Sequence, residues 1–341
     1  MFFGNIYGLD LGTYEIKVYD NKSNTIWKEK NAVAIKNKSQ IFAVGDIAYD
    51  MYEKTPLNVE IVFPMKDGVI SRFYDMQHLL QNLLKKERHF ASGSRYVIAV
   101  PTDVTEVEKK AFYDLVIHST ARAKEVRIVE RGIADAVGLG IDVQKSPGVF
   151  IANLGAEVTE LSVVAFGGMV MNRILKIGGT TLNHIIANQV RYENDFLIGS
   201  LTGEILRKHF GLKDTSDVSK LKVSGRNLLT GVPEQKEIGR DMVQEAVKGQ
   251  IEGYIQEIKT MIERTPPEVL RSIQKDGIYI TGGFANTKGI AEYMEQRLGY
   301  KVHTTSQPEL TVVEGLKRII QSKELKKLTY SMLDDNYRWL R

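Results

Sequence analysis

The sequence has no cysteine among its 341 residues, which removes disulfides, thiolate metal sites and cysteine nucleophiles. A reducing cytoplasm fits that absence. Apolar runs long enough to span a bilayer are also missing. The N-terminus has no basic region before its apolar residues and reaches Asp10 quickly, unlike a secretory signal. Charge excess is small: 46 Lys and Arg against 42 Asp and Glu leave +4, with both signs scattered. That is too little to point to nucleic acid, although it is compatible with weak attraction to an anionic membrane surface. His78, His89, His118, His184, His209 and His303 show no ligand spacing, and no Ser–His–Asp set stands out. Neither Walker A nor G-x-G-x-x-G is complete, since Gly283 to Lys288 lacks a second glycine and Gly138-Leu139-Gly140 lacks a third. These absences predict a soluble, cytoplasmic protein without a histidine metal site.

What is present reads as globular α/β. Hydrophobic residues make up 43%, enough for a folded core, and the length suits about two domains. Ile6 to Leu11 reads as a strand that enters a glycine turn and returns through Ile16, Val18 and Tyr19. Arg95 to Val100 is a strand stopped by Pro101, and Thr105 with Glu108 has capping-box spacing ahead of Phe112, Leu115 and Val116. A second strand–turn–strand runs from Val149 through Gly155 to Leu161–Val164, 153 − 10 = 143 positions after the first. Val243, Val247, Ile251, Tyr254, Ile255, Ile258 and Ile262 predict a long amphipathic helix that Pro266 and Pro267 end. A strand at Gly277–Thr281, a Gly282-Gly283 turn and a helix at 287–298 follow.

Each turn has two readings when taken alone. Asp10-Leu11-Gly12-Thr13 is either a plain polar hairpin or a turn whose backbone amides approach a phosphate, with Asp10 orienting a metal-bound water. Gly282-Gly283 is either an ordinary β–α turn or one that lays a nucleotide on a helix N-terminus.

The order of hairpin, helix, hairpin and Gly-Gly turn is more specific, and longer stretches join it. They are Pro64-Met65-Lys66-Asp67-Gly68-Val69-Ile70, Val100-Pro101 with Thr105-Glu106-Val107-Glu108, Gly225 to Pro233, Glu263 to Glu268, and Ile280-Thr281-Gly282-Gly283. In these the chain resembles the MreB-like bacterial actins, from about residue 6 to about 320. The resemblance implies an actin-like α/β fold of two related lobes, each with a mixed-sheet core and a smaller subdomain, and a nucleotide cleft between them. Lobe I would comprise 1–142 with 306–341, its small subdomain near 32–75. Lobe II would be 143–305, its small subdomain near 182–241. It further implies ATP with Mg2+, filaments of self or of sibling MreB-like proteins, the inner membrane face, and wall-synthesis membrane proteins as partners. Gly12, Thr13 and Tyr14 fall in the first phosphate hairpin, near Asp10 and Lys17, and Gly155, Ala156, Glu157 and Thr159 in the second. Glu204 and Arg207 fall at the nucleoside contact, and Gly282, Gly283, Phe284 and Ala285 in the adenosine turn.

Several positions depart from the family pattern. The second hairpin reads Asn153-Leu154-Gly155-Ala156-Glu157-Val158-Thr159-Glu160 where the family has D-I-G-G-G-T-T-E, so a magnesium-holding aspartate becomes Asn153. Glu15 and Glu157 are either solvated strand residues or carboxylates opposed to a triphosphate. Arg131 stands where the family's water-polarising glutamate belongs, and a guanidinium cannot accept a proton. Arg131 either binds a γ-phosphate bidentately or simply pairs with an acidic neighbour in a cleft that never binds ATP. Phe284 either stacks on adenine or packs into the neighbouring helix. Phe2 and Phe3, with Phe90 beside a basic run, are either membrane-touching residues or, for the first two, packing at the first strand. The expectation is a membrane-associated cell-shape filament that binds ATP with reduced or absent hydrolysis. An active ATP-hydrolysing filament, a non-polymerising adaptor and a plasmid-segregation filament remain as alternatives.

Overall fold

Two compact units divide the chain: Met1–Pro147, Ser162–Ile174 and Leu310–Arg341 form one, Gly148–Leu161 and Leu175–Glu309 the other. The computed structural model describes residues 5–86, 93–118, 123–213 and 218–333. Phe2, Phe3, Phe90 and most of the C-terminal tail lie outside the described residues.

In unit 1 a five-stranded sheet runs in the order Glu125–Glu130, Arg95–Val100, Ile6–Leu11, Glu15–Asp20, Thr25–Lys30. The first three strands are mutually parallel, and the last two return antiparallel as hairpins. The near-continuous apolar character of Ile6–Leu11 follows from its central place, because a strand covered on both faces has no solvent side to alternate toward. Leu9, Ile16, Val18, Ile98 and Ile128 meet Phe112 and Leu115 of the capped helix Glu106–Ile117 in one core. Fully burying each such side chain contributes about 1.5–3 kcal/mol. The capping box at Thr105 and Glu108 forms as the spacing predicts, the Thr105 hydroxyl accepting from the Glu108 N–H. A smaller three-stranded sheet has Val33–Lys36 between Gln40–Val44 and Val59–Val62.

The helix Arg131–Gly138 crosses the helix Thr311–Gln321 at two glycines. A Cβ on Gly138 would lie 1.8 Å from the Thr311 carbonyl oxygen, and one on Gly315 1.8 Å from that of Ala134. No side chain fits at either point, so the two backbones touch. Tyr330 exchanges both backbone hydrogen bonds with Ile128, tying the start of the tail to the sheet.

In unit 2 the strands Val149–Leu154, Ile278–Thr281 and Val302–His303 are parallel neighbours. The first turns at Gly155 into Thr159–Ala165, which runs on into unit 1. The helices Gly179–Asn194, Ser200–Phe210 and Arg240–Arg264 pack in this unit, and the last buries the predicted Val243-to-Ile262 stripe. Pro266 and Pro267 do end that helix, at Arg264, but Pro267 also opens the next one. This is the first-turn position where a missing N–H costs nothing. The helix expected at 287–298 begins only at Ile290. Gly283–Asn286 coil into a 3₁₀ turn first, and Gly289 takes a left-handed φ of 80° that no right-handed helix can include.

Candidate functional site

The two hairpins turn in the same way. In the first, the Gly12 N–H donates to the Glu15 carbonyl at 3.2 Å; in the second, the Gly155 N–H donates to the Val158 carbonyl at 2.9 Å. A Cβ would meet that same carbonyl oxygen at 2.7 Å on Gly12 and 2.6 Å on Gly155. Each glycine is therefore demanded by the turn itself. The 143-residue offset read from the sequence reappears as 155 − 12 between two matching turns.

Around the first hairpin, unit 1 gathers Asp10, Lys17 and Arg131. Register places Lys17 directly across the strand pair from Asp10, with its Nζ 3.5 Å from Oδ2. Arg131 opens its helix immediately after the strand Glu125–Glu130, and its Nε lies 3.9 Å from the other Asp10 oxygen. A second guanidinium nitrogen donates to the Leu11 carbonyl at 3.3 Å. All three charged residues are more than nine-tenths buried. A cation in the first turn of a helix is opposed by the helix dipole, and the Asp10 carboxylate offsets that cost. The acidic neighbour that Arg131 faces in unit 1 is thus Asp10.

Glu15 is also held within unit 1. Its carboxylate accepts from Lys30 at 2.9 Å, with Lys28 at 3.9 Å on the other oxygen. The Lys30 ammonium lies 4.1 Å from the centre of the Tyr14 ring. Burial works against the Lys30 charge, but the hydrogen bond and Coulomb attraction from Glu15 outweigh it and raise the ammonium above its usual range. Thr13 is buried in the turn. Sequence reasoning missed Asn31, which is fully buried and donates through Nδ2 to the Gly12 carbonyl at 2.8 Å. Nothing in the local pattern marks it.

Unit 2 collects the other candidates. Asn153 is the strand partner of Thr281, just before Gly282. Gly282, at φ 83°, would drive a Cβ to 2.4 Å from the Leu154 carbonyl oxygen, so the Gly-Gly turn lies tight against the entry to the second hairpin. Gly283 differs: a Cβ there would meet nothing within 4 Å. The helix Gly179–Asn194 docks its start on the same hairpin, with Gly179 N–H donating to Gly155 O at 3.0 Å and Thr180 N–H to Ala156 O at 2.7 Å. The Gly178-Gly179 pair was a readable signal for that contact. Thr159 is buried and donates to the Ile177 carbonyl at 3.0 Å.

Arg207 is buried, donating to Asn183 Oδ1 at 2.9 Å and to Thr287 Oγ1 at 3.0 Å. Its guanidinium lies 5.2 Å from the centre of the Phe284 ring, and Tyr254 approaches the same ring at 6.1 Å. Phe284 is 2% exposed, so its ring is packed among unit 2 side chains. Ala285 is buried beside it. Burial pushes the Tyr254 hydroxyl up to about 12. Glu204, one turn before Lys208, pairs with it. Unit 2 thus brings together Asn153, Gly155, Arg207 and the Gly282–Ala285 turn, and unit 1 brings together Asp10, Gly12, Lys17 and Arg131.

A model of the MreB/Mbl protein family matches residues 4–328. The chain belongs to the MreB/Mbl family. It is 30% identical over 322 residues to the cell shape-determining protein MreB of Escherichia coli K12, covering 92% of each chain. Against the cell shape-determining protein Mbl of Bacillus subtilis it is 28% identical over 317 residues, covering 92% of this chain and 95% of that one. Among solved structures, MreB5 of Spiroplasma citri bound to ADP superposes with a TM-score of 0.89 at 26% identity, over 95% of this chain and 98% of that one. The MamK double helical filament matches with a TM-score of 0.79 at 19% identity, over 94% and 99% of the two chains, which supports the fold. The fold is the actin-like one of MreB and MamK.

A magnesium ion, implied by the family resemblance, does not fit the residues of this MreB/Mbl chain. Asp10 in unit 1 is shared between two cations, and no cluster of three or more His, Asp or Glu able to hold a metal occurs among the described residues. Magnesium usually keeps several waters and is bound through one or two carboxylates. Here the Asp10 carboxylate already faces two cations.

Proposed function

We propose that this chain is an ATP-binding filament subunit of the MreB/Mbl kind, acting in cell-shape determination, with hydrolysis reduced or absent. The observation that carries the reading is the buried Arg131 guanidinium fixed on Asp10 and Leu11. At the position of the family's water activator it has no lone pair to accept a proton. Loss of a general base lowers the rate by about 10²–10⁴.

Nucleotide binding draws support from the matched turns at Gly12 and Gly155, and from Gly283. Gly283 leaves room for a close backbone approach, as Gly239, Gly249 and Gly253 also do, so its support comes from its place in the Gly-Gly turn against the second hairpin. The residues fit a nucleotide in that respect. The ADP- and AMPPNP-bound states of Spiroplasma citri MreB5, at 26% and 27% identity, support it further. In this reading the buried Arg207–Phe284 pair backs the Gly282–Ala285 turn, and Arg131 and Lys17 supply positive charge beside the first hairpin. Self-association is supported by the filament that MamK forms on the same fold.

Attachment to a membrane surface is part of the proposal. No helix among the described residues is long and apolar enough to cross a membrane. Attachment would rest on Phe2, Phe3 and Phe90, and equal liposome flotation of the wild type and a triple Phe→Ser variant overturns that part.

Phosphate release and bound-nucleotide stoichiometry, measured on the same purified protein, test the core of the proposal. Near-stoichiometric ATP with little phosphate released is the expected result. Brisk turnover abolished by Arg131→Ala overturns it.

A further inference from the structure

The geometry points to nucleotide binding that does not require a divalent cation, because Lys17 and Arg131 occupy the carboxylate that would otherwise serve the metal. This inference rests on the nucleotide-binding reading above. Its basis is the arrangement at Asp10. One carboxylate oxygen faces Lys17 Nζ at 3.5 Å, and the other faces Arg131 Nε at 3.9 Å. Cross-strand register fixes the lysine, and the first position of a helix clamped by a backbone crossing fixes the arginine.

A hydrated dication needs anionic oxygens to accept from its waters. To recruit Asp10 through its waters, it would have to share the carboxylate with two buried cations, which weakens the negative field the dication needs. It would also approach two like charges in a poorly screened setting. What the chain offers beside the first hairpin is a lysine and an arginine of its own, and arginine in particular suits phosphate oxygens because of its fixed planar donors. With Asp10 between them, the two side chains keep a net positive charge that supplies part of the neutralisation a metal ordinarily gives a triphosphate.

Direct binding of a fluorescent ATP analogue to the full chain, in excess magnesium and in EDTA, tests this. The expected wild-type result is two affinities within about threefold of each other. Arg131→Glu, which restores an acidic side chain and frees one Asp10 oxygen, is expected to bind about tenfold or more tightly with magnesium than without it. A thermal-unfolding shift by ATP in EDTA, measured on the wild type, checks the result without any variant. Wild-type affinity that falls about tenfold or more in EDTA overturns this inference and leaves nucleotide binding standing. No saturable binding in either buffer overturns the nucleotide reading, and this inference with it.

Discussion

Asn31 holds the turn of the first hairpin from two sides: its Nδ2 donates to the Gly12 carbonyl at 2.8 Å, and its backbone N–H donates to the Tyr14 carbonyl at 3.0 Å. The side-chain bond is the removable one. Asn31→Ala is expected to lower stability by about 1–3 kcal/mol, since a buried carbonyl loses its donor. Asn31→Asp does at least as much harm, because a carboxylate cannot donate and is buried as a charge. Urea unfolding measures the loss, and ATP-analogue affinity should weaken in parallel if the turn serves a phosphate. Wild-type stability in Asn31→Ala rules out the clamp.

The glycines divide by what a methyl group would strike. Gly12→Ala and Gly155→Ala force a Cβ to within 2.7 and 2.6 Å of a backbone oxygen that cannot yield without opening the turn. Each is expected to cost about 1–3 kcal/mol. Gly283→Ala meets open space and is expected to leave stability within about 0.5 kcal/mol while weakening nucleotide affinity. Thermal midpoints and binding isotherms on the three variants decide it. Unchanged affinity in Gly283→Ala removes the main support for a ligand-facing turn.

Arg207 links three elements through one guanidinium, reaching Asn183 on one helix, Thr287 before another, and the face of Phe284. Arg207→Lys cannot reproduce the fork and is expected to cost about 1–3 kcal/mol. Arg207→Ala also loses the buried stem and is expected to cost more. Equal stabilities for the lysine variant and the wild type would show that the fork is dispensable.

Alkaline pH should expose the buried tyrosine. Tyr254 is fully buried on the Arg240–Arg264 helix, and burial lifts its pKa from 10.0 to about 12. A raised folded-state value means the stability is intact below the unfolded pKa near 10 and is lost as pH climbs through the folded one. Lys30, raised by Glu15, and Tyr96, raised by burial, act in the same direction. The Tyr254 share of the loss is roughly 2–3 kcal/mol. Urea midpoints from pH 8 to 12 should fall steeply above about pH 10, and Tyr254→Phe should make the fall shallower. An unchanged slope in that variant contradicts the burial argument.

Much of the fold was legible because its signals are local. Gly12 and Gly155 end apolar strands, Thr105 and Glu108 meet across one turn, and the Val243-to-Ile262 stripe repeats on a single helix face. The candidate site was legible only where the family pattern named positions. The rest depends on register and long-range contact. Lys17 opposes Asp10, and Lys30 opposes Glu15, only once the strands pair. Asn31 reaches back to Gly12, and Arg207 reaches Thr287 across 80 residues of sequence. No periodicity encodes such contacts. The late start of the helix at Ile290 had a readable sign in Gly289, but the close approach of Lys213 and Leu212, where no side chain would fit, is a long-range contact that the local pattern does not carry.

The crossing of Arg131–Gly138 with Thr311–Gln321 has a mechanical corollary. Two helices touching through carbonyl and Cα atoms at paired glycines have no lubricating layer of side chains, so neither can slide or roll while the other stays still. A shift of the Thr311–Gln321 helix is therefore passed directly to Ala134 and Gly138 of the helix that Arg131 opens.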